Sequence, residues 1–305
     1  MHSLHITDET SQLKSVILGT AKSNGKTPKL EDAYDPKSKK HLKAGTYPQE
    51  KTMVAEILAV EEALISEGVE VLRPELIENC NQIFTRDIGF VIDDNFFISN
   101  ILPDREKEIE ALSPILKQIN PEKIKRFPEE AHIEGGDVMP HHDYVFVGTY
   151  RGDDYPEYMT ARTNVQAVKA LQEMLPQKKV KSFNLRKHNT DAKNNALHLD
   201  CCFQPVGEKQ AIIHENGFLE EEEYNWLVDF FGKENTFEIT KEEMYAMNSN
   251  VFSISPKCVI SEMNFDRLHA WLERLGIKVI KVPYAEIAKQ EGLLRCSTLP
   301  LSRQH

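Results

Sequence analysis

The feature that most constrains the fold is a unit written about five times along the chain. It has an apolar strand, a turn, a second strand, an amphipathic helix and a short third strand. A unit of this size cannot bury its apolar faces alone, so copies must pack on one another. The first copy has its opening strand at 14–19, a polar, lysine-rich stretch at 20–49, a helix near 50–67 and a closing strand at 69–72. The second runs from strands at 89–92 and 96–99, through a helix from Asp104 to about 117, to a strand at 123–127. The third has strands at 138–139 and 144–147, a helix at 164–174 and a strand at 180–183. The fourth reads 197–203, 211–213, helix 220–231 and strand 236–239. The fifth reads 250–254, 258–260, helix 265–275 and strand 278–280, with the loop around Cys296 hanging from its end.

Strands alternating with helices set the class as α/β. A doubly wound sheet places single parallel strands between helices, and hairpins argue against it. Radial repetition of the units is the expected arrangement, because it leaves only short sheet edges. No GxGxxG or P-loop pattern is present, which removes the usual nucleotide-binding readings. No stretch reads as a linker, so residues 1–305 are expected to form a single domain. The 20–49 stretch is too long for an ordinary connection, and is expected to be a lid or poorly ordered.

Five cysteines, two of them adjacent at Cys201 and Cys202, make no disulfide framework and suit a reducing, cytoplasmic compartment. The N-terminus lacks the basic and apolar regions of a signal peptide, and no apolar run approaches membrane-spanning length. The net charge of −11, without a concentrated basic face, argues against nucleic acid and tolerates a small cationic ligand.

Ionisable residues recur at one place in the unit, just ahead of or inside the first strand. They are Asp87 in Thr85-Arg86-Asp87, Glu134 in Ile133-Glu134-Gly135-Gly136-Asp137, and His198 and Asp200 in His198-Leu199-Asp200. The fifth copy has Met247-Asn248-Ser249 there. Under radial packing these points converge on one cavity. His198 and Asp200, two apart on a strand, would face the same side. Glycines 135 and 136 would let backbone pass close to a ligand or another strand. Cys296 follows Arg295 in a glycine-containing loop. It is either a thiolate activated by that cation or one more buried small hydrophobe. Arg105 and Arg162 each follow a second strand. They are either solvated surface charges or a pair able to hold a carboxylate by bidentate contacts.

In chain order these pieces resemble the guanidine-modifying, or pentein, superfamily of arginine deiminases, dimethylarginine dimethylaminohydrolases and amidinotransferases. The matching stretches are 9–19, Phe84-Thr85-Arg86-Asp87, 133–137, Ala161-Arg162-Thr163-Asn164, His198-Leu199-Asp200 and 294–300. The resemblance implies a five-bladed α/β propeller with pseudo-fivefold symmetry. It implies that Cys296 is the nucleophile, that His198 is the acid–base, and that Glu134 orients it. Asp87 and Asp200 would clamp the guanidinium, Arg105 and Arg162 would grip a substrate carboxylate, and neither metal nor cofactor is required. Asp200 favours unmethylated guanidines, since dimethylarginine hydrolases generally lack an acid there. The expected activity is hydrolysis of free arginine or a close derivative, with amidino transfer to an amine as the alternative. Other readings are dimethylarginine hydrolysis, a metallohydrolase using His132, Glu134, Asp137, His198, Asp200 and Cys296, and a propeller that only binds partners.

Overall fold

A computed structural model describes residues 2–155 and 157–304. It contains five three-stranded sheets. The strands in chain order are β1 (Gln12–Leu18), β2 (Glu70–Leu72), β3 (Gly89–Ile92), β4 (Asn95–Ile98), β5 (Ile124–Arg126), β6 (Val138–His141), β7 (Tyr144–Thr149) and β8 (Lys179–Asn184). They continue as β9 (Phe203–Val206), β10 (Gln210–Ile213), β11 (Thr236–Glu238), β12 (Phe252–Ser255), β13 (Cys258–Glu262), β14 (Lys278–Val282) and β15 (Thr298–Gln304).

Each sheet follows one rule. The first strand pairs antiparallel with the second, and the second pairs parallel with the third. Short hairpins permit the antiparallel pairs, whereas the parallel ones need a crossover. Asp93 (φ +51°) and His142 (φ +54°) take the left-handed conformation that tight hairpins demand. The crossover helix Val165–Met174 is capped by Asn164, whose Oδ1 accepts the Ala167 N–H at 2.9 Å. Packing between neighbouring sheets buries Phe90 and Phe97, stacked at 5.3 Å, with Val138, Val145 and Leu171.

The structure departs from the sequence reading in three places. β1 is not an opening strand. It is the middle strand of its sheet, and the first place is filled by β15 from the other end of the chain. Cys296 therefore sits just ahead of a first strand, as the other site residues do, and does not hang from the fifth unit. Residues 197–202 are not a strand, which begins only at Phe203. A 3₁₀ turn spans Leu199–Cys201, because Asp137 Oδ1 captures the Leu199 N–H at 2.9 Å. The helix expected from Asp104 to 117 is broken into Lys107–Glu110 and Ser113–Leu116, with Pro114 opening the second piece.

The 20–49 stretch is folded. It carries a turn at Leu30–Asp32 and a helix at Pro36–Ala44, started by Asp35 accepting the Ser38 N–H at 2.6 Å and stopped by Gly45 at φ +67°. No helix among the described residues is long and apolar enough to cross a membrane, and all five cysteines are free.

Candidate active site

The turns ahead of three of the first strands, carrying Asp87, His198 and Cys296, line a cavity of about 310 Å³. Asp87, Arg105, Arg162, His198 and Cys296 line it. Glu134 and Asp200, both fully buried, stand behind that wall. The glycines at 135 and 136 are dictated by close approach. A Cβ on Gly136 would lie 2.6 Å from His198 Nδ1, and one on Gly135 would lie 2.1 Å from the Arg86 carbonyl oxygen.

His198 Nε2 and Glu134 Oε2 are 2.8 Å apart, and His198 Nδ1 lies 3.7 Å from Asp87 Oδ1. The flanking peptides are fixed from two sides. The buried Lys187 ammonium donates to the carbonyls of Ala196 (3.0 Å) and Leu197 (2.6 Å), and Asp137 takes Leu199 N–H. Burial opposes charge on His198, but Asp87, Glu134 and Asp137 outweigh it and hold the imidazole above its ordinary pKa. Burial likewise opposes charge on Glu134, yet Arg162, the His198 contact and Arg105 hold it well below the carboxylate range. For Asp87 burial wins over His198 and Arg105, and its pKa is raised.

Arg105 and Arg162 come together as expected, but each already serves the site's own acids. Arg105 makes a two-point contact with Glu108 (2.8 and 2.9 Å), and its Nη1 reaches Asp87 at 2.9 Å and Glu134 at 3.4 Å. Arg162 Nη1 donates to both Glu134 oxygens at 3.2 Å, and its Nη2 donates to the Tyr34 carbonyl at 2.9 Å.

Cys296 is 2% exposed. Asn250 Nδ2 donates to its sulfur at 3.1 Å, and Asn250 Oδ1 accepts the Arg295 and Cys296 N–H groups at 2.9 and 3.2 Å. The sulfur lies 3.6 Å from Asp200 Oδ2. The expectation that Arg295 activates this thiol fails on geometry. Arg295 is fully buried, and its guanidinium is bound by Glu9 (3.1 Å twice) and by Asp200 Oδ2 (2.9 Å). Burial, then Asp200 and Asp87, push the Cys296 pKa well above the ordinary thiol value.

Asn250, Glu9, Glu108 and Lys187 were not singled out as site residues from the sequence. Asn250 had a readable signal, since it lies two residues ahead of its first strand, as Asp87 and Cys296 do. Lys187 and Glu108 carry no such register, and their roles rest on long-range packing.

Asp87, Glu134 and His198 are the one trio among the described residues close enough to share a metal ion. The fit is poor, because Arg105 and Arg162 already hold the two carboxylates and Glu134 occupies His198 Nε2. The wider ligand set of the metallohydrolase reading is split. His132 sits apart, 2.6 Å from Asp154.

One further feature tells what the cavity wants. Asp87 Oδ1 is buried and has no hydrogen-bond partner among the described residues. A buried carboxylate oxygen left open beside a thiol and an imidazole calls for a cationic donor.

Comparisons with known proteins agree. Residues 29–303 match the family model described as N,N dimethylarginine dimethylhydrolase, eukaryotic. The chain is 30% identical over 244 residues to the uncharacterized Bacillus subtilis protein YkgA, covering 79% of this chain and 77% of that one. It is 26% identical over 265 residues to the arginine deiminase of Listeria innocua, covering 73% of this chain but only 62% of the deiminase. In fold it is similar to an amidinotransferase of the Microseira wollei saxitoxin pathway, with a TM-score of 0.77 over 99% of this chain and 98% of that one at 17% identity. The chain belongs to the N,N-dimethylarginine dimethylhydrolase family, within the pentein superfamily of guanidine-modifying enzymes.

Proposed function

We propose that this chain hydrolyses the guanidino group of free arginine or a close derivative through a covalent Cys296 intermediate. The observation that carries this reading is the open, buried Asp87 Oδ1 in a cavity shared with the Cys296 thiol and His198. A guanidinium seated there has its N–H groups on Asp87 and its carbon over the sulfur. Burial, then the Asp200 and Asp87 charges, keep the thiol protonated, and the bound cation offsets those charges. Cys296 ionises with its proton passing to solvent, and the thiolate attacks that carbon. The carbon–nitrogen bond breaks, and the His198 imidazolium protonates the departing amine. A water deprotonated by His198 then adds to the thiouronium carbon, and the thiolate leaves with a ureido product. Two easier steps replace one hard one, and the acid–base group adds about 10²–10⁴-fold. Glu134, held ionised, keeps the imidazole in register. On this reading residues 1–305 are one catalytic domain, the five sheets are propeller blades around a pseudo-fivefold axis, and the free cysteines suit the cytoplasm.

A second reading is removal of dimethylamine from N,N-dimethylarginine. The family match favours it. A product assay on arginine, asymmetric dimethylarginine and shorter guanidines, each with and without an amine acceptor, separates these readings from amidino transfer.

The thiol's raised pKa has a measurable sign. A thiol whose pKa is pushed above its ordinary value is protonated at neutral pH and ionises only as pH climbs past it. Alkylation of Cys296 by iodoacetamide should therefore be slow at pH 7 and still rising at pH 9. Chloroacetamidine carries the amidinium cation that Asp87 and Asp200 attract, and it should react faster at pH 7. An iodoacetamide rate that is flat from pH 6 to 9 would show a preformed thiolate and contradict the account.

The 20–49 stretch is proposed as a lid. Tyr34, Asp35 and Tyr47 line the cavity. The stretch is clipped to the catalytic loop by Lys37 N–H to Glu291 (3.2 Å) and Tyr47 hydroxyl to Gln290 (3.0 Å). Closing lids exclude water from reacting centres. Hydrogen exchange should show slower exchange across residues 34–49 on adding substrate to the Cys296→Ser variant. Equal protection in both states would remove the lid from the account.

A further inference from the structure

A second cavity, of about 540 Å³, lies between the helix Pro36–Ala44, the short helix Lys241–Tyr245, the start of the helix Asp266–Arg274 and the turn Ile287–Gln290. Two buried acceptors line it. Asn248 is 4% exposed, and its Oδ1 has no hydrogen-bond partner. Glu262 is 3% exposed, and among the described residues its carboxylate is met only by neutral donors of Asn264, the backbone N–H at 2.8 Å and Nδ2 at 2.9 Å. An unpartnered buried oxygen needs a donor, and a buried carboxylate without a counter-ion needs a cation.

The cations on the wall do not fill that need. The Lys37 ammonium donates to the Tyr245 carbonyl at 2.6 Å. Arg267 is held by Glu243, with Nε to Oε1 at 2.8 Å, and Lys289 by Glu286 at 2.5 Å. His41 faces Thr46 at 2.8 Å, and burial, with Lys289 and Lys37 nearby, keeps its pKa below the ordinary value and the ring neutral. Exposed Glu242 and Asp266 add negative charge at the rim.

We propose that this cavity is a second binding site, for a small primary ammonium ion such as a mono- or diamine without a guanidine. Hydrolysis of arginine releases ammonium, the smallest cation of this kind, so on the function proposed above the enzyme itself makes a related ligand. The site is wired to the catalytic loop on both walls. The turn that carries Asn248 starts at Met247, strained at φ +72°, and ends at Asn250, which holds Cys296. On the facing wall, the Lys37 N–H is bonded to Glu291, itself at φ +57° and five residues before Cys296.

The test is calorimetric titration of the full chain with putrescine, beside 1,4-butanediol as its uncharged counterpart. It needs no turnover, so it stands whether or not the proposed reaction is right. The expected result is a saturable one-site isotherm for putrescine and none for the diol. Glu262→Gln and Asn248→Leu should each weaken binding at least ten-fold, while Asp87→Asn in the first cavity should leave it unchanged. If Asn248→Leu does not fold, the near-isosteric Glu262→Gln carries the test. Absence of an isotherm in the wild type overturns the proposal. So does equal binding of the diol, indifference to the Glu262 change, or loss of binding in Asp87→Asn, which would place the diamine in the first cavity.

Discussion

Replacing Cys296 by serine should lower guanidine turnover by about 10⁴-fold or more, the scale on which removal of a covalent nucleophile is felt. Neither neighbour can stand in for it. Cys201 and Cys202 are buried and, unlike Cys296, do not line the cavity. The fold should not change, because a serine hydroxyl can accept the Asn250 amide that now meets the sulfur at 3.1 Å. Circular dichroism melts should overlay to within about 3 °C. Retained turnover with an overlaid melt would remove Cys296 from the chemistry, whereas lost turnover with a collapsed melt would make its role structural.

The second large effect is expected at Asp200. Its Oδ2 is fixed by Arg295, and among the described residues Oδ1 meets only the Cys201 thiol at 3.8 Å. Cys296 Sγ lies 3.6 Å from this carboxylate, so in the proposed reaction the nitrogens of the attacked carbon come within its reach. Methylation removes those donors and adds bulk. Losing a hydrogen bond to a buried charge costs about 1.5–3 kcal/mol, so the wild type should prefer arginine over asymmetric dimethylarginine by about 10–10² in kcat/KM. Asp200→Asn keeps the volume and should erase most of that preference by lowering the arginine value. Alanine is the poorer test, because it leaves Arg295 half-unpaired in the core, a loss of about 3–5 kcal/mol. The same Asp200→Asn change removes a negative charge beside the thiol and should speed iodoacetamide alkylation at pH 7. A wild type that processes dimethylarginine as well as arginine would make dimethylarginine hydrolysis the better reading.

Much of this site could be read in the chain because its residues obey a register. Asp87, Glu134, His198 and Asp200 were visible as ionisable residues ahead of apolar strands, and the five units mapped onto five sheets. Local pattern could not reveal that residues 298–304 return to fill the first place beside β1. Pairing between chain ends leaves no mark at short range. Reading His198-Leu199-Asp200 as an alternating strand failed because the decisive contact, Asp137 to the Leu199 N–H, comes from 62 residues away. Charge partners were equally hidden. Arg295 beside Cys296 looked like an activator, yet Glu9, at the other end of the chain, and Asp200 take its guanidinium. Sequence adjacency places charges near one another but does not say which pairs neutralise.

The central claim is a covalent bond between Cys296 and the guanidinium carbon. The most direct test is acid quenching of the wild-type enzyme during turnover of arginine, followed by peptide mass spectrometry. The account predicts an adduct on the Cys296 peptide equal in mass to the substrate less ammonia, with the amino-acid tail still attached. A bare amidino group on Cys296 would instead mark a transferase. A label on Cys201 or Cys258, or none on any cysteine while product accumulates, would contradict the account.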